Sequence, residues 1–583
     1  IMRIKHFFGL AVLAAMTASC SSNNDLVNGG GNGSSENETG VGYATLSINL
    51  PTTNGTRAAG DPDFKPGDAN EYDVKDVTLL IFKEAGKSEN DYTFVETADL
   101  GTMAPWVKDD GTTGITTAAT ITAKLDKVDL TSKYYALVIL NNKDKDNALK
   151  VKMPSPDQTY SKWNDAANAK NLVDNTNGFY MANAPKFTAE NTEPTTLVKI
   201  DQIYATKQAA ETNKATTIHV ERGMAKVTVA PFPTDLVPTG TKYNNDKVDI
   251  TAWNLDVTNK STFPIHKTTG LNSPFTTIWS ASSDPAPSTG RFVDGTNTAF
   301  KRVYWGVDPN YDQNYTKVED CNKEFNLLEA NAAITGDAAT PQYCLENTFD
   351  IMHMLQGQTT RVVFKATYKP ASLPKGETTF YKIGKNTAIW SEENLKNQIK
   401  TVALTAMGIT DVKEQAKYGV DLTKGTNISG KAGQHLITAD NITYSDEAAS
   451  SEVKENVVKT INEKLETINE KLGLSDAAGI STYLNGEAYY IARIKHFGND
   501  LTPWNEGDET YGINDEENNK KYLGRYGVLR NNWYELKVQS VSGPGTPDVP
   551  TIKPTDPDDE NYTYISVSVK ILDWAKRSQD VNL

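Results

Sequence analysis

The stretch that decides the fold class lies near the C-terminus, where residues 564–571 read Tyr-Ile-Ser-Val-Ser-Val-Lys-Ile. Apolar and polar side chains alternate in it, so that Ile565, Val567, Val569 and Ile571 share one face. This period of two is typical of a half-buried β-strand. A similar stretch lies near the other end of the chain, where residues 44–50 read Ala-Thr-Leu-Ser-Ile-Asn-Leu. The pattern predicts a strand at each end of the protein.

The segments between these ends predict an all-β chain with few helices. Strands are expected where β-branched and aromatic residues lie between turn residues, at 74–82, 134–140, 226–229, 248–257, 360–368 and 533–541. Helices are expected at 161–173, at 392–407 with Ser391 as N-cap, and at 452–472. The last contains a duplicated heptad; we expect it to pack on its own domain, the alternative being a coiled coil with a partner. Short strands with few helices favour β-sandwich domains, with a boundary near residues 216–225.

Length, charge and residue counts exclude several classes of protein. A chain of 583 residues is long enough for two to four domains. Its 59 Lys and Arg against 74 Asp and Glu give a net charge of −15, which would repel phosphate backbones, so we expect no nucleic-acid partner. Three cysteines and six scattered histidines do not form a zinc scaffold.

The first twenty residues predict export. A basic start with Arg3 and Lys5 precedes a short apolar run at residues 7–16, about half the length of a membrane-spanning helix. The small residues before Cys20 resemble a bacterial lipobox, which would make residues 1–19 a signal peptide and Cys20 the site of lipidation. The alternative is an ordinary signal peptide with an incidental cysteine. Residues 21–39 are rich in Ser, Asn and Gly and would serve as a tether.

Export also permits a disulfide bond. Cys321 and Cys344 are the two cysteines after Cys20, and a bridge between them would close a loop of about 23 residues worth roughly 3 kcal/mol. We expect a bridge; the alternative is two buried free thiols.

A search for catalytic motifs finds none, so we expect no enzyme activity, catalytic residues or cofactor. One weak calcium pattern is present, because Asp308, Asn310, Asp312 and Glu319 have the spacing of positions 1, 3, 5 and 12 of a calcium loop. Gln313 stands where that loop needs Gly. We therefore interpret this stretch as a polar turn and expect no metal site.

Several short motifs in a fixed order point to a family. The segments are Val220-Glu-Arg-Gly-Met-Ala-Lys-Val227, Tyr343-Cys-Leu-Glu-Asn-Thr348, Thr360-Arg-Val-Val-Phe-Lys-Ala366, Val528-Leu-Arg-Asn-Asn-Trp-Tyr-Glu-Leu-Lys-Val538 and the tail from Tyr564 to Leu583. Together with the lipobox and the Arg57-Ala58 site, they resemble the fimbrillins of Bacteroidales, the type V pilins, and in particular the shaft subunit of the short (minor) fimbriae. The helix at 452–473 and Cys321 are not part of that pattern.

The resemblance implies two transthyretin-like β-sandwich domains, at residues 58–220 and 221–542, with a few inserted helices. It implies export as a lipoprotein to the outer membrane, cleavage by a trypsin-like protease after Arg57 to leave Ala58 as the new N-terminus, and loss of the lipidated propeptide 20–57. It also implies head-to-tail polymerisation by donor-strand exchange, with residues 543–561 as a Pro-rich linker and an extended donor strand in residues 562–583. The implied partners are other copies of this chain and related fimbrillins in a cell-surface fimbria that supports adhesion and biofilm formation.

Strand alternation supports this assembly independently. A domain that loses a strand exposes an apolar groove flanked by unpaired backbone groups, which pairs with any matching strand. A head-to-tail contact of this kind does not close and therefore produces filaments. Two alternatives remain at this stage: a tip or accessory fimbrillin, and a surface-anchored lipoprotein whose Trp305 and Trp390 stack on glycans.

Overall fold

A computed structural model describes residues 41–51, 68–101, 107–108, 115–187, 194–268, 301–303, 305–428, 431–497, 502, 522–558 and 565–572. Strands predominate over helices in these ranges, which confirms the predicted all-β class. No helix within them is both long and apolar enough to cross a membrane. Six α-helices are described: α1 Tyr160–Trp163, α2 Lys207–Thr212, α3 Val318–Glu324, α4 Glu392–Met407, α5 Val412–Gln415 and α6 Ser451–Leu472.

Ten strands precede Gly223. They are β1 Gly42–Pro51, β2 Val77–Lys83, β3 Thr93–Gly101, β4 Val107–Lys108, β5 Ile115–Leu125, β6 Tyr134–Leu140, β7 Met181–Asn183, β8 Lys186–Phe187, β9 Val198–Lys199 and β10 Thr216–Arg222. Nine of them form one sheet in the order β3-β2-β6-β7-β10-β1-β5-β4, with β9 beside β6. Side chains of β1, β2, β6 and β10 share one apolar core, so the two halves of this sheet face each other across it.

The remaining strands follow Gly223. They are β11 Ala225–Val229, β12 Lys247–Asp256, β13 Thr258–Asn259, β14 Lys301–Arg302, β15 Phe325–Asn326, β16 Gln342–Cys344, β17 Arg361–Lys369, β18 Phe380–Ile383, β19 Tyr418–Val420, β20 Thr426–Ile428, β21 Lys431–Leu436, β22 Ile442–Tyr444, β23 Ile480–Tyr483, β24 Glu487–Arg493, β25 Trp533–Val541 and β26 Ile565–Leu572. A sheet in the order β16-β11-β25-β26 and a sheet in the order β12-β17-β24 pack on a common core. This is the arrangement of a β-sandwich.

Residues 380–483 form an insertion between β17 and β24 with a core of its own. Helices α4 and α6 pack on a small sheet in the order β18-β23-β21-β20, and the buried residues include Leu395, Ile399, Ile461 and Ile468. Ser391 caps α4 by accepting a hydrogen bond from the backbone N–H of Asn394, as predicted. Helix α6 lies on its own domain, as expected.

The predicted helix at 161–173 is wrong. Only α1 and a 3-10 turn at Ala166–Asn168 form there. Asp165 ends the helix because its carboxylate accepts a hydrogen bond from the backbone N–H of Ala167 and thereby starts a new turn. The side-chain amide of Asn168 donates to the carbonyl of Trp163, which satisfies the end of α1.

The predicted disulfide bond is also absent: both cysteines are free, buried thiols. Cys321 lies on α3 and packs against Val257, Phe325 and Ile552. Cys344 lies on β16 and faces the core of the C-terminal sandwich. The two thiols belong to separate apolar clusters, because each packs with the hydrophobic side chains around its own element. They therefore do not form a bridge. Burial raises the pKa of Cys321 to about 11 and that of Cys344 to about 12, which keeps both protonated and unreactive.

Candidate functional site

Strand β1 forms the first part of the candidate site, because a segment from the start of the chain occupies the middle of a sheet. It pairs antiparallel with β5 along its whole length and parallel with β10 through residues 46–49. Both backbone edges of β1 are therefore hydrogen-bonded to neighbours. We call the space between β5 and β10 the β1 slot.

The inward side chains of β1 fill this slot. Ala44, Leu46, Ile48 and Leu50 are each at most 1% exposed and pack in the core with side chains from β2 and β6. Burial of an aliphatic side chain contributes about 1.5–3 kcal/mol, so the three larger ones contribute roughly 5–9 kcal/mol before losses in chain entropy. The predicted period of two is confirmed at all four positions.

The start of β1 is closely packed as well. A Cβ atom added at Gly42 would lie 2.4 Å from Cγ2 of Ile203, so only glycine fits there. The backbone groups of Tyr43 and Tyr204 form two reciprocal hydrogen bonds of 2.7 and 2.8 Å. On the opposite face, the hydroxyl of Thr45 donates to the carbonyl of Ala210 on α2 at 2.9 Å. The strand is thus held on both faces and along both edges.

The predicted processing residues lie on either side of β1. Cys20 precedes the strand, and Arg57 and Ala58 follow it; all three lie outside the described residues. The strand ends at Pro51, and the description resumes at Asp68. The propeptide boundary and the cleavage site therefore stay predictions.

A buried ionic cluster lies close to the point where the description resumes. We call it the Glu71 anchor and define it as Glu71, Arg222, Lys226 and Tyr343. The carboxylate of Glu71 is fully buried and lies 2.5 Å from the ammonium of Lys226 on β11. It also accepts a 2.7 Å hydrogen bond from the hydroxyl of Tyr343, while its backbone carbonyl accepts one from Nε of Arg222. Burial would raise the pKa of Glu71, but the charge of Lys226 and the hydrogen bonds from Lys226 and Tyr343 hold that pKa below its usual value.

Sequence reasoning missed this anchor and a second polar cluster nearby. Nδ1 of His266 lies 2.9 Å from Oε1 of Glu221, and its Nε2 lies 3.6 Å from Oε2 of Glu346. Nε of Arg530 lies 3.4 Å from Oε1 of Glu346. Glu221, Glu346 and Arg530 each come from one of the motifs that carried the family resemblance. The sequence motifs therefore contained these residues, but the motifs alone did not show that the side chains would meet in a buried polar cluster.

The C-terminal strand forms the second part of the candidate site. Strand β26 pairs antiparallel with β25 at the edge of its sheet. Its register places positions 567, 569 and 571 opposite Val538, Leu536 and Tyr534, which are buried. The strand predicted from the tail is thus confirmed. The side chains of Ile565, Val567, Val569 and Ile571 lie outside the described residues, so their role as a donor face stays a prediction.

Two other sequence candidates have structural roles. Trp305 is fully buried and packs beside the tilted rings of His496 and Phe497, so the glycan platform suggested for it is wrong. Trp390 is half-buried against the inserted subdomain. Asp308 is buried, and its carboxylate accepts hydrogen bonds from the side chain of Asn259 and the backbone of Asn310 and Thr348. Burial raises its pKa to about 7. No cluster of potential metal ligands occurs among the described residues.

Comparison with known families identifies the C-terminal region. Residues 481–580, from β23 through β26, match the family model described as "Major fimbrial subunit protein type IV, Fimbrillin, C-terminal". The match confirms the resemblance to fimbrillins and includes both β25 and the predicted donor strand. No curated protein matches the sequence.

Solved structures give only distant likenesses. A candidate cell adhesion protein from Parabacteroides distasonis has 9% identity and a TM-score of 0.37, over 92% of this chain and 98% of that one. A candidate cell adhesion protein from Bacteroides eggerthii has 12% identity and a TM-score of 0.32, over 91% and 96%. A fimbrial assembly protein from Parabacteroides distasonis has 11% identity and a TM-score of 0.26, over 57% and 83%. Scores this low do not establish a common fold.

Proposed function

We propose that this chain, whose C-terminal region matches the fimbrillins, is a non-catalytic structural subunit of the shaft of a bacterial surface fimbria. In this proposal the precursor is lipidated at Cys20 and attached to the outer membrane. A protease then cuts after Arg57, and residues 20–57, including β1, leave the domain. Transthyretin-like topology for the two sandwich domains is part of the same proposal.

One observation carries the proposal: the strand that would be discarded, β1, is paired along both edges in the N-terminal sheet and buries its inward side chains in the core. Its departure would leave the facing edges of β5 and β10 unpaired above an apolar floor. Buried backbone groups without partners cost free energy, so an empty β1 slot would favour capture of another strand. A second strand with alternating aliphatic residues occurs at the other end of the same chain.

The pairing of β26 explains why its transfer to another subunit would be favoured. Among the described residues, this strand lies at the edge of its own sheet and pairs with β25 alone. In the β1 slot of another subunit it would pair along two sides, with β5 and β10. Each backbone hydrogen bond contributes about 0.5–1.5 kcal/mol net, so the second paired edge favours transfer between subunits. The joint formed is head-to-tail and produces a filament.

Deletion of residues 562–583 tests this function. We expect a folded, exported and correctly cleaved monomer that does not extend a filament, as seen by electron microscopy of sheared surface material. A variant that still polymerises would rule out the tail as the donor. A variant that fails to fold would show that β26 is an integral part of its own sandwich.

A further inference from the structure

Residues 543–558, most of the segment interpreted above as a Pro-rich linker, lie against the C-terminal domain, and we call them the strap. The strap begins beside β24, the last strand of the sheet β12-β17-β24. The hydroxyl of Tyr490 donates to the carbonyl of Gly543 at 2.8 Å, and the backbone groups of Tyr489 and Thr546 form two reciprocal hydrogen bonds of 2.8 and 3.0 Å. The first residues of the strap are thus paired with the sheet.

The middle of the strap is buried against the outer face of the same sheet. Val549 is 1% exposed and packs against Ala252, Val363 and Ile491, one from each of the three strands. The guanidinium of Arg361, itself paired with Asp256, donates to the carbonyl of Pro550. The aliphatic side chain of Val549 would be exposed to water in a free tether, whereas here it is buried. This part of the segment is therefore attached to the domain.

The end of the strap is held by apolar and ionic contacts together. Ile552 is buried in one apolar cluster with Cys321, Val257 and Phe325. Six residues later, the carboxylate of Asp558 is buried, with Oδ1 3.0 Å from Nε of Arg493. The backbone N–H of Asp558 also donates to the carbonyl of Met354 at 3.2 Å. Asp558, the last residue of the strap, is thus held by both its side chain and its backbone.

We infer that the strap stays fixed to its own domain when the C-terminal strand is exchanged, and that the Arg493–Asp558 ion pair is the pivot of that strand. The pivot rests on the proposed strand exchange, whereas the attachment of the strap does not. Six residues, 559–564, separate Asp558 from β26. They span about 20 Å when extended, so the donor strand reaches only a closely apposed subunit. A linker free from residue 543 to residue 561 would span about 59 Å.

Two buried thiols among the described residues provide the test, since Cys321 shares an apolar cluster with Ile552 of the strap and Cys344 lies in the sandwich core. We would measure alkylation by a maleimide reagent under native conditions, assigning each modified cysteine by peptide mass spectrometry. The variant Asp558→Asn removes the charge that faces Arg493. The matched control is Asp556→Asn, two residues away, where the carboxylate pairs only with the exposed Lys553 among the described contacts.

In the monomer, we expect Asp558→Asn to label at Cys321 at least ten times faster than wild type, with Cys344 unchanged and Asp556→Asn like wild type. Equal labelling of Cys321 in wild type and Asp558→Asn would overturn the role of the ion pair. Parallel acceleration at both cysteines would indicate general unfolding and would equally count against a local pivot. Rapid labelling of Cys321 in the wild-type monomer would overturn the attachment of the strap.

In filaments, we expect Cys321 of wild type to remain as protected as in the monomer. Exposure of Cys321 on polymerisation would mean that the strap departs with the donor strand, which contradicts a pivot at Asp558. If the chain forms no filament at all, the proposed function fails, while the monomer measurements still decide whether the strap is attached.

Discussion

Glu71 shows most clearly how the segment that begins at Asp68 is held. Its carboxylate has no exposure to water and faces Lys226 of β11, the first strand after Gly223. The Glu71 anchor therefore ties residues that follow the proposed cleavage site to the C-terminal sandwich. In the proposed maturation, β1 would leave while the segment beginning at Asp68 stays in place.

Glu71→Gln should destabilise the protein by about 3 kcal/mol at neutral pH, because it removes the carboxylate nearest to the buried ammonium of Lys226, whose other acidic neighbour, Asp68, is exposed and farther away at 3.7 Å. The measurement is chemical denaturation of wild type and variant. The pKa of Glu71 in the folded state lies below its usual value of 4.5. Its contribution is therefore complete above that value and is lost as the pH falls through the folded-state pKa, so the difference between the two proteins should shrink below about pH 4.

The control for this experiment is Glu84→Gln. Glu84 pairs with Lys133 near the protein surface, with the lysine side chain 60% exposed, so the change should cost less than about 1 kcal/mol. A Glu71→Gln variant no less stable than the control would show that the anchor has no energetic role.

Arg57→Ala should block maturation, because the proposed protease requires a basic residue before the cut. The precursor would keep β1 in its slot and remain attached at Cys20. N-terminal sequencing of the sheared surface fraction should give Ala58 for wild type and no filament material for the variant. Normal filaments from Arg57→Ala would remove this residue from the mechanism.

Among the elements, all eight strands expected from alternation and composition form, out of twenty-six strands in the described residues, and two of the three expected helices form. The period of two at residues 44–50 and 565–571 was informative for both strands. The inward side chains of β1 are buried, and β26 pairs with buried residues of β25. The failures have two different physical causes. The carboxylate of Asp165 captures a backbone N–H and ends a helix after one turn. The burial of the strap depends on long-range contacts such as Arg493 with Asp558, which proline spacing does not encode.

Charged substitutions on one face of the tail test whether the tail acts as a donor strand or is an extension that takes no part in assembly. The double variant Val567→Asp with Val569→Asp should abolish filament growth, because burial of two unpaired carboxylates costs several kcal/mol each. The matched variant Ser566→Asp with Ser568→Asp alters the other face and should reduce growth much less. The measurement is filament length by electron microscopy after equal expression.

Equal loss of filaments in both double variants would mean that the two faces are buried alike, and the simple alternation would then be wrong. Equal retention would mean that the tail does not enter the β1 slot. The bulge between Val538 and Ser540 in β25 lies opposite the start of β26, so positions 567 and 569 are better tests than Ile565.

In the whole molecule, the two strands that the proposed exchange involves come from opposite ends of the sequence. Strand β1 is central, paired on both edges and close to the start, whereas β26 is an edge strand at the end of the described chain. The sheet before Gly223 and the sandwich after it are tied together through the Glu71 anchor and the cluster of Glu221, His266, Glu346 and Arg530.

Donor-strand exchange is tested most directly by a cryo-electron microscopy map of sheared filaments, resolved well enough to read side chains between β5 and β10. We expect the strand in the β1 slot to carry the sequence of residues 562–574 from the adjacent subunit, and residues 42–51 to be missing from the filament. A map in which residues 42–51 of the same chain still occupy that slot would contradict it.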